Sequence, residues 1–288
     1  MTLPPITDTH QHLWDRSRFR IPWLENAGEL GRDHRPEEYA RAADGLNITR
    51  TIYMEVDVDP AQHREEAAYV AGLCADPNAP MAAAVVGGRP AEPDFAAYVD
   101  DVIARGGGFI KGVRQVLHGG TPPGFCLTND FVRGMETLGA RGLSFDLCLR
   151  PGELADGAEL ARRCPGTRFI LDHCGNGPVK GGAYLSDWKR GIEAVAGQPN
   201  VVACKVSGIV AGARKGAWTP DDLAPVVSFC ADAFGRDRVM FGGDWPVCTL
   251  AASLREWVEA LQIIVADWPE PDWAALFAGN AARVYGLD

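Results

Sequence analysis

The sequence predicts an α/β protein, a single parallel (β/α)8 TIM barrel spanning residues 1–288, and three observations lead there. Eight short apolar, β-rich runs bounded by turn residues alternate with segments of helical character along the 288 residues. Successive runs start about 24 to 44 residues apart, roughly one βα unit each. Polar residues close the runs, at the end where barrel enzymes carry their chemistry.

Taken in order, the first run is 6–10 (ITDTH), followed by a helical segment at 36–44. The second, 50–56 (RTIYMEV), leads to a helix at 61–74, and the third, 81–87 (MAAAVVG), to one at 93–105. The fourth, 109–115 (FIKGVRQ), precedes a helix at 129–141. Thr128-Asn129-Asp130 supplies its N-cap and Arg141-Gly142 its stop. The fifth and sixth, 144–149 (SFDLCL) and 168–173 (RFILDH), are followed by helices at 153–164 and 186–197. After the seventh, 201–207 (VVACKVS), Thr219-Pro220-Asp221 opens a helix at 220–234, and Gly235 closes it. The eighth, 238–244 (RVMFGGD), precedes a helix at 252–266, and no break along the chain is long enough for a linker. The rival architecture, an open doubly wound sheet, would carry a glycine-rich phosphate loop in its first turn. Here that turn reads HQHLWD, and GxGxxG, GxxxxGK[ST] and GxSxG are missing from the sequence, which removes the anchors of dinucleotide, nucleoside triphosphate and serine-hydrolase chemistry.

Composition narrows the partners. A net charge of -10 without a Lys/Arg cluster argues against nucleic acid. The N-terminal stretch has neither a basic nor an apolar leader region, and no window approaches the roughly 20 apolar residues of a membrane span. The expectation is therefore a cytoplasmic protein acting on a small molecule, with no membrane or nucleic-acid partner and a homo-oligomer left open. The eight cysteines are scattered without a CxxC pair, so they are expected to be reduced and mostly buried.

The strand ends define the candidate site. The two-residue period places His10 and His12 on one strand face, able to converge on a metal or substrate. His173 leaves the sixth run as the chain turns over the barrel, and Asp244 follows the buried run VMFGG. Arg114 alternates in phase with Ile110 and Gly112, so it points inward where the small Gly112 leaves room, its planar fork suited to a substrate oxygen. Glu55 and Lys205 are equally compatible with function or with a structural ion pair across the barrel. Trp14 and Trp245 flank the site and offer apolar walls or loop anchors.

The segments TDTHQHLWD (7–15), GVRQVL (112–117), LDHCG (171–175), CKVSG (204–208), FGGDWPVC (241–248) and GNAARVYGL (279–287) carry a family resemblance. In that order and spacing the chain resembles, end to end, the amidohydrolase-2 group of the amidohydrolase superfamily, and especially its sugar-lactone hydrolases of the L-fuconolactonase and L-rhamnonolactonase type. The resemblance implies hydrolysis of a lactone ester to a sugar acid by activated water. It also implies catalytic roles at His10, His12, His173 and Asp244, each on a matching motif. Combined with the reading of the strand ends, the expected site has Asp244, His173 and Arg114 as catalytic residues and His10, His12, Trp14, Trp245 and Lys205 as substrate contacts. Binuclear members add ligands from strand five, where this chain has Leu149 and Arg150, so two metals are not expected. One divalent ion, zinc or manganese, on His10, His12 and Glu55 or Asp244 stands open beside a metal-free mechanism. The rival activities are a metal-dependent decarboxylase of an aromatic or unsaturated acid, and a non-catalytic sugar-binding barrel.

Overall fold

The computed structural model describes residues 4–180 and 185–287. Eight strands, β1 (Ile6–Gln11), β2 (Ile48–Met54), β3 (Met81–Gly87), β4 (Ile110–Val116), β5 (Ser144–Cys148), β6 (Arg168–Leu171), β7 (Val201–Val206) and β8 (Val239–Phe241), pair in sequence order, every ladder parallel. The helices α1 (Pro36–Ala42), α2 (His63–Cys74), α3 (Phe95–Gly106), α4 (Asn129–Ala140), α5 (Leu154–Arg163), α6 (Leu185–Ala196), α7 (Pro220–Phe234) and α8 (Leu254–Ile264) fall between and after them. This is the expected (β/α)8 barrel, with each element displaced by a few residues at most.

Local chemistry sets the helix ends. At α7 the predicted start is a capping box, with Thr219 and Asp222 reciprocally bonded and Pro220 in the first turn. Thr128 occupies the N-cap of α4, but its hydroxyl donates to the Phe125 carbonyl instead of capping. Ser253 and Glu256 box the start of α8, a signal the sequence reading did not use.

The barrel interior holds its own apolar cluster, in which Ile52, Met54, Ala83, Val85, Ile170, Ala203 and Met240 point inward from five strands. Their lower surface is covered by Ala281, Val284, Tyr285 and Leu287, on and just after the helix α10 (Asn280–Tyr285). A short helix, α9 (Glu270–Ala274), leads into it. The sequence reading assigned neither helix, although the C-terminal segment is what stoppers the barrel. All eight cysteines are free and buried, as expected. No helix of the described residues is long and apolar enough to cross a membrane.

The seam between β8 and β1 is closed without a regular ladder. His12 N–H donates to the Trp245 carbonyl at 2.8 Å and Asp244 N–H to the His10 carbonyl at 2.7 Å. Below them the buried Asp8 carboxylate accepts from His10 N–H at 3.0 Å, Gly243 N–H at 2.7 Å and the Tyr39 hydroxyl at 2.8 Å. One side chain therefore holds both edges of the seam.

Candidate active site

The seam places His10, His12 and Asp244 together at the C-terminal mouth. The two imidazole centroids stand 4.9 Å apart, and Asp244 Oδ1 lies 3.4 Å from His12 Nε2 and 3.8 Å from His10 Nε2. Their neighbours fix the tautomers. His12 Nδ1 faces the Met54 carbonyl at 3.0 Å, which only accepts, so Nδ1 carries the proton. His10 Nε2 lies 3.2 Å from Arg114 Nη1, which only donates, so its proton sits on Nδ1, facing Asp172 Oδ1 at 3.5 Å. Burial keeps the His10 pKa well below the usual histidine value.

Beneath these groups runs a chain of alternating charge across the barrel interior: Glu55, Arg114, Asp172, Lys205, Asp146. Arg114 Nε donates to Glu55 Oε1 at 2.7 Å and Nη1 to Asp172 Oδ2 at 3.2 Å. Lys205 Nζ donates to Asp146 and lies 3.2 Å from Asp172 Oδ1. Burial opposes the charge on Asp172, but Lys205, His10 and Arg114 outweigh it and hold the pKa well below the carboxylate range. Burial likewise opposes the Arg114 charge, which Glu55 and Asp172 secure. Asp146, by contrast, is pushed up to about 7 by burial despite Lys205.

This network corrects two expectations. Lys205 is fully buried within the chain of charges and takes no part in the pocket lining, so it is a counterion and not a substrate contact. Glu55 is not available to a metal, because Oε1 is taken by Arg114 and Oε2 accepts from Asp57 N–H at 2.7 Å. Gly112 also differs in its reason. The space it leaves is filled by Ser144, whose Oγ would lie 2.4 Å from a Cβ there.

His173 arrives by unusual backbone. After β6 four successive residues, His173, Cys174, Gly175 and Asn176, adopt positive φ of 55°, 50°, 62° and 53°. Such strain persists where surroundings over-determine it. Here Trp188 Nε1 donates to the Cys174 carbonyl at 2.9 Å and Asn176 Nδ2 to the Leu149 carbonyl at 2.7 Å. The turn swings the His173 ring to 4.4 Å from that of His10, with Nδ1 2.9 Å from Ser207 Oγ. Gly208 makes room, since a Cβ there would lie 2.3 Å from His173 Nδ1. Asp244 also stands at positive φ, 54°.

These groups open into a pocket of about 800 Å³, whose floor includes His12, Arg114, His173 and Asp244. Trp14 serves as both wall and anchor, lining the pocket while its Nε1 donates to the Arg32 carbonyl at 2.6 Å. Trp245 does not line it. Its ring packs against His34 and Tyr39 behind β1, which makes it a support and not a substrate wall. His10, with no exposed surface, is likewise sealed behind the floor. Sequence reasoning missed Asp172, Asp57, Arg89, His118 and Trp23. The two-residue alternation from Ile170 pointed to Asp172 as inward, whereas Trp23 sits on a short 3-10 helix and the other three on loops, none of which a strand period reaches. A larger cavity of about 950 Å³ lies on the outer side of β1 against α1, and the site histidines, Arg114 and Asp244 are not part of its lining.

The donor set fits one divalent cation. One ligand atom each from His10, His173 and Asp244 lies within 4.8 Å of the others. Burial lowers the pKa of His173 as it does that of His10, and the one lone pair of His10, on Nε2, accepts from Arg114 Nη1, so an ion bound there would displace that hydrogen bond. His12 Nε2 faces Asp244 Oδ1 at 3.4 Å, so a proton or a cation between them would join the two. A second triple, Cys148, Asp172 and His173, meets the same distance but not the chemistry. Asp172 is committed to Lys205 and Arg114, and burial raises the Cys148 thiol pKa so that it keeps its proton.

Comparison with known proteins identifies the family of the whole chain. A family model described as amidohydrolase matches residues 7–287. The L-fucono-1,5-lactonase of Burkholderia multivorans is 31% identical over 296 residues, covering 97% of this chain and 95% of the relative. The L-fucono-1,5-lactonase of Burkholderia ambifaria is 27% identical over 293 residues, covering 98% and 95%. Among solved structures, an amidohydrolase from Burkholderia multivorans with bound zinc superposes with a TM-score of 0.86 at 29% identity, over 99% of this chain and 100% of that one.

Proposed function

The chain belongs to the amidohydrolase family, and from that premise we propose that it hydrolyses a lactone, specifically a neutral aldono-lactone, to the sugar acid. The observation that carries the reading is the convergence of the Asp244 carboxylate, the His12 and His173 imidazoles and the Arg114 guanidinium on the floor of a pocket large enough for a sugar ring, with His10 packed directly behind them. The two lactonase relatives support the ester chemistry.

In this mechanism Asp244 takes a proton from a water molecule, and the hydroxide attacks the lactone carbonyl carbon. Arg114 has five N–H groups. Glu55 Oε1, the Glu55 carbonyl, His10 Nε2 and Asp172 Oδ2 account for four of them, which leaves one on Nη2 for the oxyanion. His173 flanks the same oxygen. Collapse of the tetrahedral intermediate breaks the ring C–O bond, and Asp244 returns its proton to the departing alkoxide. The new carboxylic acid then ionises, releasing one proton per turnover. A divalent ion such as zinc or manganese held by His10, His173 and Asp244 would add Lewis-acid polarisation of oxygen at that point. His12 Nε2, facing Asp244 Oδ1, orients the base in either case.

The test is a pH-indicator assay on a panel of aldono-lactones, with metal content measured before and after chelation. Acid release from at least one lactone supports the reading. Turnover that survives metal removal assigns the electrophile to Arg114 and His173, and turnover restored by zinc or manganese assigns it to the ion. No acid release in any condition, with carbon dioxide released from an aromatic acid, would replace the reading with the decarboxylase.

A further inference from the structure

Above the floor the pocket wall is largely apolar, formed by Trp23, Val56, Val58 and Pro60, and a polar pair interrupts it: Asp57 and Arg89. Arg89 Nη2 donates to Asp57 Oδ1 at 2.7 Å, and the two side chains keep 23% and 37% exposure. An ion pair so exposed contributes little to stability, so packing alone does not explain its construction. That construction is specific. Asp57 stands in the left-handed region at φ 50°, which a non-glycine residue adopts at a cost. Its N–H is held there by Glu55 Oε2 at 2.7 Å, while Glu55 Oε1 holds Arg114 Nε at 2.7 Å. A single buried carboxylate thus fixes the spacing between Arg114 on the floor and Asp57 on the wall.

The geometry points to the Asp57–Arg89 pair as the specificity-determining contact for the ring hydroxyls of a polyhydroxylated lactone, an inference that rests on the lactonase reading above. A hydroxyl both donates and accepts, and a fixed carboxylate beside a fixed guanidinium offers the complement of each. Because the pair is neutral overall, it suits a neutral ring and gives no advantage to a second carboxylate. Glu55 keeps this contact in register with the carbonyl that Arg114 polarises, so hydroxyl recognition and carbonyl placement are set by the same side chain. A lactone without hydroxyls satisfies the floor and leaves this wall unmatched.

The experiment compares kcat/KM for a hydroxylated aldono-1,5-lactone and for δ-valerolactone, which has the ring and no hydroxyls, in the wild type, Asp57→Asn and Arg89→Met. Asparagine tolerates positive φ and methionine keeps the stem, and melting temperatures verify that both variants fold. The wild type should prefer the hydroxylated ring, and each variant should lower that preference by roughly tenfold or more, chiefly through KM. A preference unchanged in both variants, or a wild type indifferent to the hydroxyls, overturns the inference while the lactonase reading stands. A wild type that opens no lactone of the panel, from which the hydroxylated ring is drawn, overturns the lactonase reading and this one with it.

Discussion

Asp244 has the position of a base, 3.4 Å from one imidazole and 3.8 Å from another, on a backbone turned into the left-handed region. Asp244→Asn, which keeps the shape and loses the basicity, should lower kcat by about 10²-fold or more, by the usual scale of general-base catalysis. Near-wild-type turnover in a steady-state assay would remove it from the mechanism. A second residue-scale expectation concerns Glu66 on α2. Burial, reinforced by the charge of Glu55, pushes its pKa from 4.5 up to about 8. The folded protein therefore retains a proton that the unfolded chain releases above about pH 4.5, and the stability linked to that proton falls as pH rises towards 8. Gln at this position cannot ionise and still accepts from Tyr53 and from Val56 N–H. Glu66→Gln should melt above the wild type at pH 9, with a smaller difference at pH 5, and a gap independent of pH would show that Glu66 is not the titrating group. Individual residues were legible where alternation reaches them, as at Arg114 and His10. Burial and partnership were not, which is why Lys205 read as a substrate contact when Asp146 and Asp172 hold it inside.

At the scale of elements, the left-handed turn at 173–176 and the facing Gly208 act together to aim one ring. Gly208→Ala would put a Cβ 2.3 Å from His173 Nδ1 at a φ of 68°, so the ring must move. Turnover should fall roughly tenfold or more through misplacement, while substitution of the open Gly152 should leave it near the wild type. Equal kinetics for the two variants would show that the position of His173 does not matter. The strands and main helices were readable because each has an apolar run, a period and a turn signal. Helices α9 and α10 were not, since they follow the last βα unit and their apolar residues answer to the barrel floor and not to a neighbouring strand. The turn after β6 was equally invisible, because sequence marks a positive φ by glycine, and three of its four residues are His, Cys and Asn.

For the whole molecule the decisive feature is the seam. Asp8→Ala would leave His10 N–H, Gly243 N–H and the Tyr39 hydroxyl without their acceptor, at about 1 kcal/mol or more for each buried donor. The melting temperature should drop by roughly 6 °C or more, whereas Asp8→Asn, which keeps an acceptor oxygen, should lose less. A melting point unmoved by the alanine variant would mean that the barrel closes by other means. The fold was legible at this scale from the count of eight runs alone, but not the way it closes, because the seam pairs residues more than 230 positions apart. The same backbone atoms that close the ring, those of His10, His12 and Asp244, carry the reacting groups. Over evolutionary time this ties two selective pressures together. A lineage selected for turnover alone would be purged of seam-loosening variants before they reached the threshold of unfolding, so the hoop of the barrel is policed by its chemistry.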